Sequence, residues 1–464
     1  MSLPTKLVVI GAGSASFGEN TLSALMRSQK LHGSQLALVD HNPEALDSVH
    51  RLAQRLNREW KSGVTVTTHA HHAEALEGAA FVISAIEVGA REELWKQDFQ
   101  IPLKYGLRQP YAENGGPGGF AHAARNLPPV MEIVRDMEKA CPEAWFINFT
   151  NPMIRICDAI NRHSRIQAIG LCHQIYAGYI MVGVALGKDL GLRIPRELTG
   201  LEASHDQSPY QKLVKQQIVP RVDIRAAGLN HFTWILSIRD RQSGEDLYPL
   251  FRRRWAALDP DFEPLTRRVF DAFGWFPVPG DTHLAEYLPW LNDPVTRPWE
   301  KYHLKLYDWD GYAASRQLAH EAIRRMAAGL APIAPLLDTD SEGAAEIIET
   351  IAGAGTHYHL AANRPNEGQI PNLPLGATVE TPVQVDGAGV HPVQVGALPG
   401  PIAELLRRET TVAQLCVEAS LSGDRQQALQ CLLLDPVIRD FEQAAQILED
   451  YLQAYREYLP QFWK

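Results

Sequence analysis

No apolar run in this chain approaches the roughly 18 residues that a membrane-crossing helix needs. No block of lysine or arginine occurs, and basic residues are not interleaved with aromatic ones, so a membrane and a nucleic acid are both excluded as expected partners. The formal net charge of −10 points the same way. Cysteine is scarce: Cys141, Cys157, Cys172, Cys416 and Cys431 are an odd, scattered set, which is not a disulfide framework. A charged-then-apolar leader is missing as well, and the chain enters an apolar strand within a few residues, so a cytoplasmic location is expected. No repeat or low-complexity tract interrupts the 464 residues, of which 45% are hydrophobic and 21% charged. A chain of this size and composition buries a large core and is expected to form two domains, 1–195 and 196–464.

The first informative segment is KLVVI at 6–10, a continuous apolar run of the kind a strand covered on both faces requires. It leads into Gly11-Ala12-Gly13-Ser14, after which Leu22, Leu25 and Met26 repeat with helical spacing. This strand, glycine turn and helix would hold a pyrophosphate at the helix start, with Gly11 and Gly13 allowing close backbone approach and Ser14 and Phe17 in the same loop. Ser16 stands where the third glycine of the dinucleotide fingerprint belongs. Asp40 ends the next apolar run about 20 residues on, where a carboxylate accepts the ribose hydroxyls and repels a 2′-phosphate. NAD is therefore favoured over NADP. The bland alternative is a glycine turn in an ordinary α/β domain, with Asp40 capping the next helix.

Asn42-Pro43 reads as the cap and first turn of that helix, and strands recur at VTVTT, AAFVISAI, AWFINFT and IQAIGLC. They would extend a doubly wound sheet whose ligands lie at the carboxyl ends of its strands. Ile86-Glu87, Asn148 to Asn151, and Cys172-His173 all fall at such ends, with Glu87 and Asn148 expected beside the cofactor. A thiolate at Cys172 and an imidazole at His231, in AAGLNHFTWI, are good ligands for a divalent transition metal. From about residue 195 the pattern changes to longer helical stretches, 313–327 and 437–457, with a strand-rich segment near 376–398 and an ordered loop at 363–374.

Taken together, GAGSASF, Asp40, Glu113-Asn114-Gly115-Gly116-Pro117-Gly118-Gly119, Thr150-Asn151-Pro152, Gly170-Leu171-Cys172-His173, Gly228-Leu229-Asn230-His231-Phe232 and His283-Leu284-Ala285-Glu286-Tyr287 resemble glycoside hydrolase family 4 over nearly the whole chain. The resemblance implies an α/β protein, a Rossmann-like N-terminal sheet followed by an α+β C-terminal domain of the lactate/malate dehydrogenase-like kind. It also implies a glycosidase that uses NAD and a divalent metal, usually manganese. Such enzymes transiently oxidise C3 of the sugar, remove the acidified C2 proton, eliminate the glycosidic oxygen and add water before reversing the steps; the NAD-dependent family is an exception among glycosidases built on two carboxylates.

In that scheme Cys172 and His231 would hold the metal, and Tyr287 would be the C2 base, since a nearby cation stabilises a phenolate; Asp281 is the alternative base. Glu113 would protonate the leaving group or position the substrate. Asn151, Arg91, His173 and Asn230 would bind the sugar, and Asp98 matches a family position or a solvated helix face. In the family, Cys-His tends to accompany unphosphorylated substrates, so a small α-glycoside or a uronide such as an α-galacturonide or glucuronide is expected. The competitors are a 6-phospho-glycosidase of the same family, a lactate/malate-type NAD-dependent dehydrogenase and a non-catalytic NAD-binding regulator. A homo-oligomer, dimer or tetramer, is expected.

Overall fold

The computed structural model describes residues 2–194 and 212–464, so the proposed domain boundary at 195/196 lies outside the described residues. Strands β1 (Lys6–Ile10), β2 (Gln35–Val39), β3 (Thr65–His69), β4 (Phe81–Ser84), β5 (Trp145–Asn148) and β6 (Gln167–Gly170) form a parallel array in the order β3-β2-β1-β4-β5-β6. This is the doubly wound arrangement expected of the N-terminal half. Helices α1 (Ala15–Arg27), α2 (Pro43–Trp60), α3 (Arg91–Leu103), α4 (Gly116–Ala140), α5 (Met153–His163) and α6 (Gln174–Leu190) follow or link these strands. Asn42 caps α2 as its sequence suggests, its side chain accepting from the N–H groups of Glu44 and Ala45, both at 3.1 Å.

Alternation along the strands decides which face each residue covers. Leu7 and Val9 face a core built with α1, α2 and the helices Trp309–Ala327 and Ala344–Ile351. Val8 and Ile10 face the other core, filled by α4, α5 and the C-terminal helices Gly400–Ser422, Arg425–Leu434 and Phe441–Ala454. The chain's second half therefore supplies helices to both faces of the first half's sheet.

It also supplies strands. β7 (Val222–Leu229), β8 (Phe232–Asp240), β9 (Phe276–Pro277), β10 (His357–Pro365), β11 (Thr378–Asp386) and β12 (Gly389–Pro392) continue from β6 in the order β10-β11-β7-β8-β9, with β12 paired to β11. These pairings are antiparallel. One sheet thus runs through both halves, parallel and Rossmann-like in the first as expected, and antiparallel with accompanying helices in the second. Strands β7, β8, β9 and β10 are strands the sequence did not reveal. The loop after β10 is ordered, as expected: the Asn366 amide donates to the carbonyls of Ile370 and Leu373 at 2.9 and 3.0 Å.

One row of residues crosses the junction: Gly170 of β6 pairs with Asn363 of β10, Asn363 with Glu380 of β11, Glu380 with Gly228 of β7, and Gly228 with Thr233 of β8. Gly170 has no room for a side chain. A Cβ there would lie 2.5 Å from Met153 Sδ, 2.6 Å from Cys157 Sγ and 3.0 Å from Asn363 Cβ. Gly170→Ala is expected to lower unfolding free energy by about 1–3 kcal/mol, the usual cost of overpacking, as measured by chemical denaturation. A stability within experimental error of wild type would show that α5 and β10 yield freely at this point.

Candidate active site

The glycine turn after β1 has a physical reason for its composition. Gly11 has φ +82°, and a Cβ would stand 2.5 Å from the Ala85 carbonyl oxygen beyond β4, so only glycine fits. The Gly13 N–H donates to Asp40 Oδ2 at 2.8 Å, and the Asn42 N–H donates to Asp40 Oδ1 at 2.8 Å. Asp40 therefore ties the glycine turn to the start of α2, while Asn42 rather than Asp40 is the helix cap. Ser14 precedes α1 without a side-chain capping bond. Phe17 lies within α1, and its side chain falls outside the described residues.

The carboxyl ends of β4 and the segment before α4 are joined by charge. Arg91 donates to both Glu87 and Glu113. His122 faces Glu87 at 3.0 Å, and the Asn126 amide donates to Glu87 at 2.9 Å. Although burial opposes ionisation, His122 and Arg91 hold Glu87 well below the usual carboxylate range. Glu87 is thus the hub of this network, with three partners already, and not the free cofactor contact expected. Glu113 is buried too, yet Arg91, His122 and His283 hold its carboxyl below the ordinary value. An ionised carboxylate donates no proton, so the geometry favours positioning over leaving-group protonation for Glu113. Arg91 is committed to these two acids and lies 4.6 Å over the Trp95 ring.

Cys172, just beyond β6, and His231, in the two-residue turn between β7 and β8, meet with Sγ 3.4 Å from Nε2. The His231 backbone is left-handed, φ +63°, a conformation uncommon outside glycine and found where surroundings enforce it. Its N–H donates to Gln174 Oε1 at 2.8 Å, and its ring stacks on His283 with centroids 4.3 Å apart and planes 1° apart. His283 in turn meets Glu286 at 3.0 Å. Burial, with His283 and His173 nearby, pushes His231 well below its ordinary value, so its ring is neutral and keeps a lone pair. Burial and the carboxylates of Glu342 and Glu380 push the Cys172 thiol well up. Surroundings that disfavour a bare thiolate favour a cation beside it. A thiol and a neutral imidazole this close are within reach of one ion, given that zinc, for example, bonds sulfur and nitrogen at about 2.3 and 2.1 Å, and they fit a divalent metal as two of its ligands. His173 pairs with Glu342 at 2.9 Å.

Asn230 precedes His231, and its amide donates to Glu380, which also accepts from Thr233 at 2.9 Å and Asn363 at 3.3 Å. Glu286 accepts from the N–H groups of Glu113 and Asn114, both at 2.9 Å. Neither acid was singled out from the sequence for a role of its own. The available signals were a lone glutamate inside the apolar strand TVETPVQV, and a glutamate three residues after His283.

Tyr287 is 3% exposed and stacks on Phe232 with centroids 4.9 Å apart. Its hydroxyl has no partner among the described residues, and Tyr287 lines a small cavity with Asn114, Arg155, Asn230 and Glu409. Burial and the charges of Glu286 and Glu409 push the phenol well above its ordinary value, so a base at this oxygen depends on a cation or a proton acceptor nearby. Asp281, the alternative base, is engaged elsewhere: its two oxygens accept from the N–H groups of Leu265 and Thr266 at 2.9 and 2.7 Å, at the start of the helix Pro264–Phe273. The Asn148 amide is likewise turned into its own loop, donating to the Thr150 carbonyl at 2.9 Å, in place of the cofactor contact expected. Asn151, in a cis peptide with Pro152, ends that loop. Asp98 is no solvated helix residue; it is buried against Arg125 through bonds of 2.8 and 2.6 Å.

A Rossmann-like sheet with a thiol and an imidazole converging at its strand ends defines an α/β enzyme. Residues 6–186 match the model of family 4 glycosyl hydrolases and residues 226–438 that of their C-terminal domain. An α-glucosidase of Erwinia rhapontici is 31% identical over 475 residues, spanning 94% of this chain and 94% of its own. An α-galacturonidase of Bacillus subtilis (strain 168) is 30% identical over 474 residues, 97% of each chain. In fold, the 6-phospho-β-glucosidase of Thermotoga maritima, solved with manganese, NAD⁺ and glucose 6-phosphate, superposes with a TM-score of 0.76 at 24% identity, over 98% of this chain and 99% of that one. The chain belongs to glycosyl hydrolase family 4.

Cys172→Ser replaces a soft ligand by a hydroxyl that ionises far less readily. Calorimetry with Mn²⁺ is expected to show at least a tenfold weaker affinity, roughly the lower end of what losing a ligand's orienting partner costs, with NAD⁺ binding retained. Unchanged Mn²⁺ affinity would make Cys172 a packing residue.

Proposed function

We propose that this chain is an NAD- and manganese-dependent glycosidase. It would cleave a small unphosphorylated α-glycoside or uronide by transient oxidation at C3, proton removal at C2, elimination and addition of water. The observation that carries this reading is the 3.4 Å approach of Cys172 Sγ to His231 Nε2 beside a Rossmann-like sheet. When bound, NAD⁺ would supply the hydride acceptor for C3 and a divalent cation the positive charge that steadies the oxygens at C2 and C3.

The chain's own residues divide the remaining work. Gly11, Gly13 and Asp40 shape the dinucleotide crevice, and Cys172 and His231 hold the metal. Asn151, Asn230 and His173 bind sugar hydroxyls, with Arg91 keeping the Glu113 carboxylate ionised and aimed. Tyr287 takes the C2 proton at its hydroxyl oxygen. Cys172-His173 and the kinship with an α-glucosidase and α-galacturonidases support the unphosphorylated substrate class.

A panel of nitrophenyl glycosides and free uronides, incubated with NAD⁺ and Mn²⁺, tests the reading when aglycone and NADH are followed together. Aglycone release without net NADH is expected, and deuterium from D₂O should enter C2 of the product sugar. Net NADH accumulation without aglycone would instead identify a simple dehydrogenase. Tyr287→Phe keeps the ring's packing and is expected to lower kcat by about 10²–10⁴-fold; wild-type turnover would remove Tyr287 as the base.

A further inference from the structure

The cavity lined by Tyr287 is lined as well by Glu409 of the helix Gly400–Ser422, by Ala413 one turn on, and by Arg155 of α5. It leaves about 10 Å³ for the centre of a water molecule, which is room for one. Four polar atoms of lining residues have no partner among the described residues: Tyr287 Oη, Glu409 Oε1, Asn114 Oδ1 and Asn230 Oδ1. The two amides are oriented by their carboxylate partners, Asn230 Nδ2 donating to Glu380 and Asn114 Nδ2 to Glu113 at 2.9 Å, which leaves each carbonyl oxygen free to accept. A water held here would have the two to four polar neighbours that buried waters require.

Glu409 is only 5% exposed, although Arg407, Arg408, Thr410 and Thr411 flank it along the helix. The groups facing it are Asp435, Arg155, Arg408 and Glu286. Burial and the charge of Asp435 push its carboxyl well above the ordinary value, and Arg155 and Arg408 oppose that rise. A carboxyl raised in this way holds a proton more readily than an exposed one. Nothing in the reaction as outlined above uses it.

We propose that Glu409 is the far end of a proton relay that runs through one cavity water to the Tyr287 hydroxyl and empties and refills that oxygen during turnover. The proposal rests on Tyr287 being the C2 base. As the phenolate removes the C2 proton, the C–H electron pair stays with the sugar and a phenol forms. The phenol passes its proton to the water, which gives one of its own to Glu409 Oε1, leaving phenolate, water and a neutral carboxylic acid. Reprotonation at C2 runs the same transfers backwards, so no other reactant is consumed. Glu409 acts through Tyr287 and does not touch the sugar.

The test uses the full chain with NAD⁺, Mn²⁺ and whichever nitrophenyl glycoside the wild type cleaves fastest. Glu409→Gln keeps the shape but cannot carry the proton. It is expected to lower kcat about tenfold, less than loss of the base itself, with KM and NAD⁺ binding unchanged. In D₂O the fraction of product labelled at C2 should fall severalfold, because the abstracted proton stays on Tyr287 and returns. Glu409→Asp should restore much of both. Ala413→Val fills the water's space while leaving Glu409 in place and should reduce C2 labelling likewise, which keeps the test open if Glu409→Gln folds poorly. Wild-type labelling in Glu409→Gln, or in Ala413→Val where the glutamine variant fails to fold, overturns the relay even if kcat falls. Tyr287→Phe separates the two readings: if it is active with normal labelling, the base assignment itself fails, whereas an inactive Tyr287→Phe beside a wild-type Glu409→Gln condemns only the relay.

Discussion

The lateral row Gly170, Asn363, Glu380, Gly228 and Thr233 is the constraint on which the site depends. Its first member must lack a side chain so that α5 and β10 can close on β6. Its central member, Glu380, is a buried carboxyl held by three side-chain donors, and burial pushes it above the ordinary carboxylate value. Since Cys172 lies two residues beyond Gly170, and His231 lies in the turn that joins Gly228 to Thr233, the row sets the distance between the thiol and the imidazole. A shift of one residue at any of these pairings would turn the ligands to opposite faces.

Around that row the acids are treated unequally. Glu87 and Glu113 are neutralised by Arg91 and His122, and Glu286 is taken up by backbone N–H groups and His283. Buried charges elsewhere follow the usual rule of pairing, as Asp98 does with Arg125. Near Cys172 the balance differs: Glu342, which pairs with His173, and Glu380 both act on the thiol.

Much of this was legible in the sequence wherever the signal is local. The glycine turn, Asp40, the Asn42 cap and the parallel strands each follow from short-range rules, and Cys172 and His231 were visible as ligand types at strand or turn positions. The antiparallel half was harder to see. β10 reads HYHLAANRP, without clean alternation, because its burial is decided by neighbours far along the chain. The same holds for the acids. Asp281 resembles a base until its partners Leu265 and Thr266, contributed by an earlier segment, are brought against it. Glu409 and Glu380 carry no spacing signal, since what distinguishes them is what they face across the fold.

The unbroken sheet has a mechanical consequence. In enzymes whose cofactor and substrate units are linked by a hinge, the units swing apart to admit reactants and release products. Here the β6–β10 junction is stitched by the Asn363 amide on the Gly170 carbonyl and by Arg364 on the Ala168 carbonyl at 2.7 Å, and helices from one half cover both faces of the other. Swinging the halves apart would tear a covered sheet, so the thiol and the imidazole are fixed to one continuous frame rather than to two hinged ones.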